Sequence, residues 1–173
     1  MNKNQLFKQA KKLEKEANFL LEDSGIVKLL SRYGKLNYTG SYRLGLMASG
    51  DIDIHIVPFK YLKDQVKKIF NDLIAQDYFR GYYFGDYIKN PTPGFPRGYY
   101  IGVNKFQNKV FWVISIWFVK KLDQKQEGLM RYIEANLTGN TKYRILKLKQ
   151  QRNERKKDLT GLEIYQKVFK KRS

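Results

Sequence analysis

The sequence predicts an α/β (α+β) fold in which a small mixed β-sheet is flanked by helices and followed by a helical C-terminal extension. The first observation is the segment 51–56, where Asp51, Asp53 and His55 alternate strictly with three isoleucines. A two-residue period is typical of a strand with one polar and one buried face. The second observation is that apolar residues near both ends of the chain recur every three or four residues, which is the period of an amphipathic helix.

The first half of the chain contains helices on both sides of the Asp-bearing strand. Apolar residues at helical spacing predict a helix over 2–31, which Ser24-Gly25 divides into two pieces. A short strand follows at 36–39, then a turn and a short helix to Met47. Helical spacing returns over 60–75, where a helix crosses back over the sheet.

The second half begins with strands and ends with helices. Aromatic and branched residues predict strands at 78–87, 98–103 and 110–119, separated by a proline-rich loop at 90–96 and a turn at 104–108. Because 110–119 is apolar at successive positions, we expect it to be the central strand. Three helices close the chain, beginning at Asp123, at Asn140-Thr141 and at the capping box Thr160-x-x-Glu163.

These elements predict two units, a core at 1–121 and a basic helical extension at 122–173. Residues 141–173 contain twelve Lys or Arg and three acids. The run 147–157 is suited to gripping a phosphate backbone, and it is equally typical of an ordinary solvated helix face.

Composition excludes several classes of function. The chain of 173 residues has no cysteine and one histidine, so it has neither a disulfide framework nor a thiolate zinc site. No apolar run reaches the length of a membrane span and the first residues lack an apolar signal core, so we expect a soluble cytoplasmic protein without a membrane partner. A formal charge of +18 favours polyanionic partners, nucleic acid first and free nucleotides second, although it also promotes solubility.

Two polar motifs stand close together in the sequence. Asp51 and Asp53 share one strand face, and such crowded carboxylates are stabilised by a cation between them, for which oxygen ligands favour Mg²⁺. Gly40-Ser41 follows the short strand at 36–39, where free backbone N–H groups and a hydroxyl can hold a phosphate. Together the motifs predict a site for a nucleoside triphosphate.

The same residues carry a resemblance. Gly40-Ser41, a nine-residue spacer and Asp51-x-Asp53 between aliphatic residues resemble the signature of the nucleotidyltransferase superfamily, the DNA polymerase β-like fold, in the form of a stand-alone minimal bacterial-type enzyme. The resemblance implies that Asp51 and Asp53 hold Mg²⁺ (or Mn²⁺), and that Gly40 and Ser41 bind the β- and γ-phosphates of ATP or another nucleoside triphosphate. It also implies transfer of a nucleoside monophosphate to a hydroxyl acceptor, with release of pyrophosphate.

One position departs from the family pattern. The superfamily has a third carboxylate on a later neighbouring strand, and Ser115 stands where we expect that acid. A serine hydroxyl carries no charge and is not basic at neutral pH. Three explanations stay open: nucleotide binding with weak or no transfer, a carboxylate supplied by Asp86 instead, or a substitution at Ser115 in this chain.

Other residues have less specific roles. Arg43 either pairs with a phosphate or faces solvent, and His55 is expected to be structural or to support the acids. Most of the thirteen tyrosines should pack, with one or two able to stack on a base. The basic surface favours an RNA or protein hydroxyl as acceptor. The competing hypothesis is an inactive module of the same fold that binds nucleic acid through its basic C-terminal helices.

Overall fold

The structure, a computed structural model, describes residues 1–61, 63–155 and 159–169. The strands are β1 (Gly34–Thr39), β2 (Gly50–Pro58), β3 (Gly81–Asp86), β4 (Gly98–Gln107) and β5 (Val110–Val119). The helices are α1 (Lys3–Asp23), α2 (Ile26–Ser31), α3 (Gly40–Arg43), α4 (Lys63–Ala75), α5 (Gln124–Ala135), α6 (Gly139–Arg155) and α7 (Gly161–Phe169). Across these residues, no helix is both long and apolar enough to cross a membrane.

The strands form one mixed sheet in the order β1-β2-β5-β4-β3. The β2–β5 pair is parallel, and the other three pairs are antiparallel. The predicted α/β class, with a small mixed sheet and a helical C-terminal segment, is confirmed. The prediction that the strand 110–119 is central is also confirmed, because β5 has two strands on its β3 side and two on its β1 side.

The N-terminal helical region divides where the sequence predicts. Asn2 and Gln5 form a reciprocal capping box that starts α1. Gly25 then adopts a φ of 63°, a left-handed conformation that glycine reaches without steric penalty, and α2 begins at the next residue.

The main core lies on one face of the sheet, which we call the closed face. The three isoleucines of β2 are fully buried there against α1, α2 and α4. Because strand side chains alternate, the acids between these isoleucines point to the opposite face, which we call the open face.

A second apolar cluster joins the C-terminal helices to the N-terminal half. Residues of α5, α6 and α7 pack against Leu6 and Ala10 of α1 and against Leu44 and Leu46, which follow α3. The C-terminal helices thus share a core with the helix that begins the chain. The division at residue 121 stays a prediction.

Two local predictions were wrong. The strand predicted to end at Val103 continues to Gln107, and the predicted turn over 104–108 shrinks to Asn108 and Lys109, with φ angles of 52° and 65°. Two successive left-handed residues form a tight hairpin whose twist matches the strands on either side. Helix α6 is capped by Thr138 rather than by Asn140-Thr141, since Thr138 Oγ1 accepts from the backbone N–H of Thr141 at 3.2 Å.

Candidate active site

The two aspartates lie on the open face at the start of β2. Asp51 is exposed, Asp53 is partly buried and Ile52 between them is fully buried. The Ser49 hydroxyl donates to Asp51 Oδ2 at 2.5 Å and so orients this carboxylate. The strand geometry therefore brings the two predicted metal ligands to one side of the sheet.

Gly40 and Ser41 form the first residues of the short helix α3, and we call them the Gly40-Ser41 turn. Gly40 lies directly beside Asp53. Gly40 has a φ of 63°, and a Cβ at this position would lie 2.7 Å from Asp53 Oδ2. Only glycine allows both this backbone conformation and this close approach of the carboxylate. The predicted phosphate-binding turn and the predicted metal ligands thus adjoin, because β1 leads into the turn and its last residue Thr39 pairs with Asp53.

A buried lysine connects the C-terminal helices to this turn. The Lys149 ammonium donates to Ser41 Oγ at 2.6 Å, to the Leu46 carbonyl at 3.0 Å and to the Tyr165 hydroxyl at 3.2 Å. Its side chain is 2% exposed. From the sequence, Lys149 is part of the basic run 147–157, which is suited either to gripping a phosphate backbone or to a solvated helix face. Lys156 and Lys157 of that run lie outside the described residues.

A signal for Lys149 was present in the sequence. It stands four residues after Ile145 and three after Leu146, both buried, so it occupies the apolar stripe of α6. A lysine on the inward face of a helix needs a polar partner inside the protein.

Burial and charge shift the pKa values of the site in opposite directions. Desolvation, reinforced by the neighbouring charge of Asp51, raises the pKa of Asp53 to about 6. Desolvation lowers the pKa of Lys149 to about 7, against the attraction of both aspartates. An acid and a base with pKa values near neutrality therefore lie on either side of the turn, and such shifted pKa values are common at functional sites.

Ser115 lies next to Asp53, as the register shows. The two residues are Cα partners on the parallel strands β2 and β5, so their side chains project from the same face. The Ser115 hydroxyl is hydrogen-bonded to the Tyr100 hydroxyl at 3.1 Å. Within the described part of the chain, no group of three acids, histidines or cysteines is placed to hold a metal ion.

The strand register places Asp86 away from Asp53. The prediction that Asp86 could supply the third carboxylate was therefore wrong. Asp86 lies on β3, at the far edge of the sheet, and the level of Asp53 across the strands is that of Tyr83. The Asp86 carboxylate accepts from the Lys63 ammonium at 2.6 Å and from two backbone N–H groups that follow β3. These bonds lower the pKa of Asp86 and fix it as a loop-capping residue.

Arg43 contacts carboxylates of α5. Its guanidinium donates to Glu127 at 2.6 Å and to Glu134 at 2.7 Å, and these two partners raise the pKa of the arginine. A phosphate at Arg43 would compete with both glutamates. His55 lies two residues beyond Asp53 on the same face and is 8% exposed; burial lowers its pKa, which favours the neutral imidazole of a structural residue.

Comparison with known proteins adds little to this geometry. No family model matches the chain, and no curated protein matches it. Eleven chains of solved structures do match. One belongs to the "non canonical Poly(A) polymerase complex GLD-2 - GLD-3", with a TM-score of 0.44 and 9% identity over 85% of this chain. This chain spans 50% of the length of that one. A likeness this distant says nothing about activity.

Proposed function

We propose that the chain is a metal-dependent nucleotidyltransferase of the superfamily that its Gly40-Ser41 and Asp51-x-Asp53 motifs resemble. It binds a nucleoside triphosphate and transfers the nucleoside monophosphate to a hydroxyl acceptor. The observation that carries the proposal is the contact between the turn and Asp53, whose Oδ2 lies 2.7 Å from the position that a Cβ of residue 40 would take. A phosphate held by the turn would thus lie beside both carboxylates.

The triphosphate site is built from the turn and from Lys149. Its ammonium reaches Ser41 Oγ, so a phosphate oxygen that binds the serine also comes within reach of the lysine. An anion at this position favours the protonated amine and raises its pKa from about 7. Nucleotide binding should therefore favour the charged form of this buried amine.

The aspartate pair is suited to Mg²⁺ or Mn²⁺. Mg²⁺ is usually held by one or two carboxylates together with substrate phosphates, so two acids beside a phosphate-binding turn are a sufficient donor set. Desolvation, reinforced by the charge of Asp51, raises the pKa of Asp53, and a bound cation would neutralise that neighbouring charge and favour the ionised carboxylate. When bound, such ions stabilise charge on the triphosphate and on the leaving pyrophosphate.

The transfer itself needs an acceptor hydroxyl on the open face. Its oxygen forms a bond to the α-phosphorus while the bond from that phosphorus to the bridging oxygen breaks, and pyrophosphate carries away the electron pair. The hydroxyl proton must leave to a base, and the position beside Asp53 where the resemblance leads us to expect a carboxylate has Ser115 instead, which is not basic at neutral pH. We therefore expect slow transfer. Asp53, the strand partner of Ser115, is the acid nearest to that position.

The serine also favours a second candidate function. A chain that lost the third acid can keep the fold as an inactive module that binds nucleic acid through α6 and α7. The formal charge of +18 supports either function, because RNA is attracted in both cases.

Labelling distinguishes the two functions. Incubation with α-labelled nucleoside triphosphates, Mg²⁺ or Mn²⁺ and cellular RNA should transfer label to RNA or to protein, and Asp53→Asn should abolish the transfer. The matched control is Asp64→Asn, an acid whose side chain is 96% exposed on α4, which should label normally. Salt-sensitive RNA binding without label, and without any effect of Asp53→Asn on triphosphate affinity, would assign the chain to the inactive class.

A further inference from the structure

Five aromatic rings cluster on the open face beyond the acids, and we call them the aromatic surface: Tyr83, Tyr87, Phe95, Tyr100 and Trp117. Trp117 lies at the centre, with ring centroids 4.8 Å from Tyr100, 4.9 Å from Tyr87 and 5.9 Å from Phe95. The outer rings are open to solvent, since Tyr83 is 54% and Phe95 is 55% exposed. Exposed apolar area of this kind is typical of a binding site.

Two glycines make room for these rings on the sheet. A Cβ at Gly85 would lie 2.5 Å from the Tyr87 ring, and a Cβ at Gly102 would lie 2.7 Å from the Tyr100 hydroxyl. Glycine within a strand often marks a place where another group approaches the backbone closely. The rings therefore lie against the strands rather than standing away from them.

The aromatic surface begins beside the candidate active site. Tyr100 hydrogen-bonds Ser115, and Ser115 is the strand partner of Asp53. Tyr83 lies level with Asp53 across the sheet, two strands beyond Ser115. A flexible chain lying across these rings would bring its end to the carboxylates.

The segment of the chain that carries the rings is positively charged. Residues 78–121 contain seven Lys or Arg and a single acid, Asp86, which is already paired with Lys63. Lys89 and Arg97 are exposed in the loop that carries Phe95. Aromatic rings beside cations are the combination that binds single-stranded nucleic acid, and the positive charge of Lys89 and Arg97 disfavours a cationic small-molecule acceptor.

We propose that the aromatic surface stacks on unpaired bases of a single-stranded RNA and presents the end of that strand to Asp53. That this RNA is also the acceptor rests on the proposed function. The stacking itself does not, because it needs only the rings and the neighbouring cations. Tyr83 and Phe95 are exposed and so accessible to bases, whereas Trp117 is buried and supports the surface by packing against Tyr87, Phe95 and Tyr100.

Fluorescence anisotropy with a labelled twelve-nucleotide oligoadenylate tests the stacking. The buffer contains EDTA and no nucleotide, so the outcome is independent of transfer. Because stacking contributes about 1–3 kcal/mol per base, Tyr83→Ala and Phe95→Ala should each weaken binding about tenfold. Tyr83→Phe, which keeps the ring, should bind like the wild type. The matched control is Phe19→Ala, which removes an equally exposed ring, also 55% exposed, from α1 and should change nothing.

Three results would overturn the proposal. Unchanged affinity in both alanine variants would exclude the rings, as would equal affinity for the single strand and for the same sequence in a duplex. Light scattering could also show a concentration-dependent dimer that dissociates in the Phe95→Ala variant. That result would assign the surface to a second copy of the chain. Failure of the labelling experiment together with ring-dependent RNA binding would refute the transfer activity and leave the stacking intact.

Discussion

The two faces of β2 and β5 differ in burial and polarity, although their residues alternate along the same strands. On the closed face, isoleucines of both strands are fully buried beneath α1, α2 and α4. On the open face the same strands present Asp51, Asp53 and Ser115, which are only partly covered. Since neighbouring side chains share one backbone, the rigid packing of one face fixes the positions of the polar groups on the other.

The difference also separates stability from chemistry. The closed face contributes apolar burial, which is the main source of folding free energy. The open face contains an acid whose pKa is raised to about 6 and, nearby, a lysine whose pKa is lowered to about 7. Both shifts mean that burial disfavours the charged form of these groups, so they oppose folding near neutrality. Groups kept at such a cost are candidates for function.

The largest expected effect is a loss of stability from the closed face. Ile54 is fully buried, and Ile54→Ala should lower the free energy of unfolding by about 2–5 kcal/mol, because it removes apolar contacts and leaves a cavity. Val113→Ala, on the open face of β5, should lower it by less than about 1 kcal/mol. Urea unfolding measures the stability of both variants. Equal losses of unfolding free energy would contradict the conclusion that only the closed face forms the core.

A gain of activity should come from the open face. Ser115→Asp places a carboxylate beside Asp53, and a correctly placed general base accelerates proton transfer about 10²-fold or more, so labelling should rise by about that factor. The third negative charge should also make thermal stability depend on Mg²⁺. Ser115→Asn has the same size without the charge and should give no gain. Equal rates for the two variants would place the missing acid elsewhere.

The parts of the fold that follow local periodicity could be predicted from the sequence. The alternation over 51–56 placed the acids and the isoleucines on opposite faces, and the left-handed Gly25 divided the first helix as expected. The end of β4 was missed, because Asn108 and Lys109 form a tight turn in which lysine is an uncommon residue. The end of a strand depends on how far its neighbour continues to pair with it, and the periodicity of one strand does not contain that information.

The site was predictable only where its residues are close in sequence. Gly40 and the acids eleven residues later belong to one local unit, β1-α3-β2. Lys149 reaches the same turn from more than a hundred residues away, through the packing of α6 on α1 and on Leu46. The ion pairs of Arg43 with α5 depend on the same packing. Contacts between elements that are distant in sequence produce no spacing pattern in that sequence. The one indication of them is a lysine on the apolar stripe of α6.

The pH dependence of stability should report on the open face. Asp53 binds its proton more tightly in the folded state, because its pKa rises from 3.8 to about 6. Its contribution to stability is therefore present below pH 3.8 and is lost as the pH rises to about 6. The free energy of unfolding of the wild type relative to Asp53→Asn should fall by roughly 2 kcal/mol over this range.

Urea unfolding in buffers with EDTA, at intervals between these two pH values, measures that difference. Subtraction of the Asp53→Asn data removes the contribution of the other carboxylates, such as Glu127, whose pKa is lowered and which acts in the opposite direction. A difference that stays flat, or that rises with pH, would show that Asp53 is not desolvated.

The smallest effect, and the one that joins the open face to the C-terminal helices, concerns Lys149. Lys149→Met keeps a long side chain in the same buried space but removes the charge, so the affinity for ATP should fall about tenfold, or about 1.4 kcal/mol. Lys147→Met changes an exposed lysine of the same helix and should alter the affinity less than twofold. Calorimetric titration with ATP measures both, after thermal melting has shown that the variants fold.

The pH profile makes this last test specific. Because the pKa of Lys149 is about 7 and a triphosphate favours the protonated amine, wild-type affinity for ATP should weaken as the pH rises from 7 to about 9. The profile of Lys149→Met should be flat over that interval. A wild-type profile that is already flat would mean that the amine does not meet the phosphates, and its bonds to Ser41 and Tyr165 would then serve only to hold α6 and α7 against the turn.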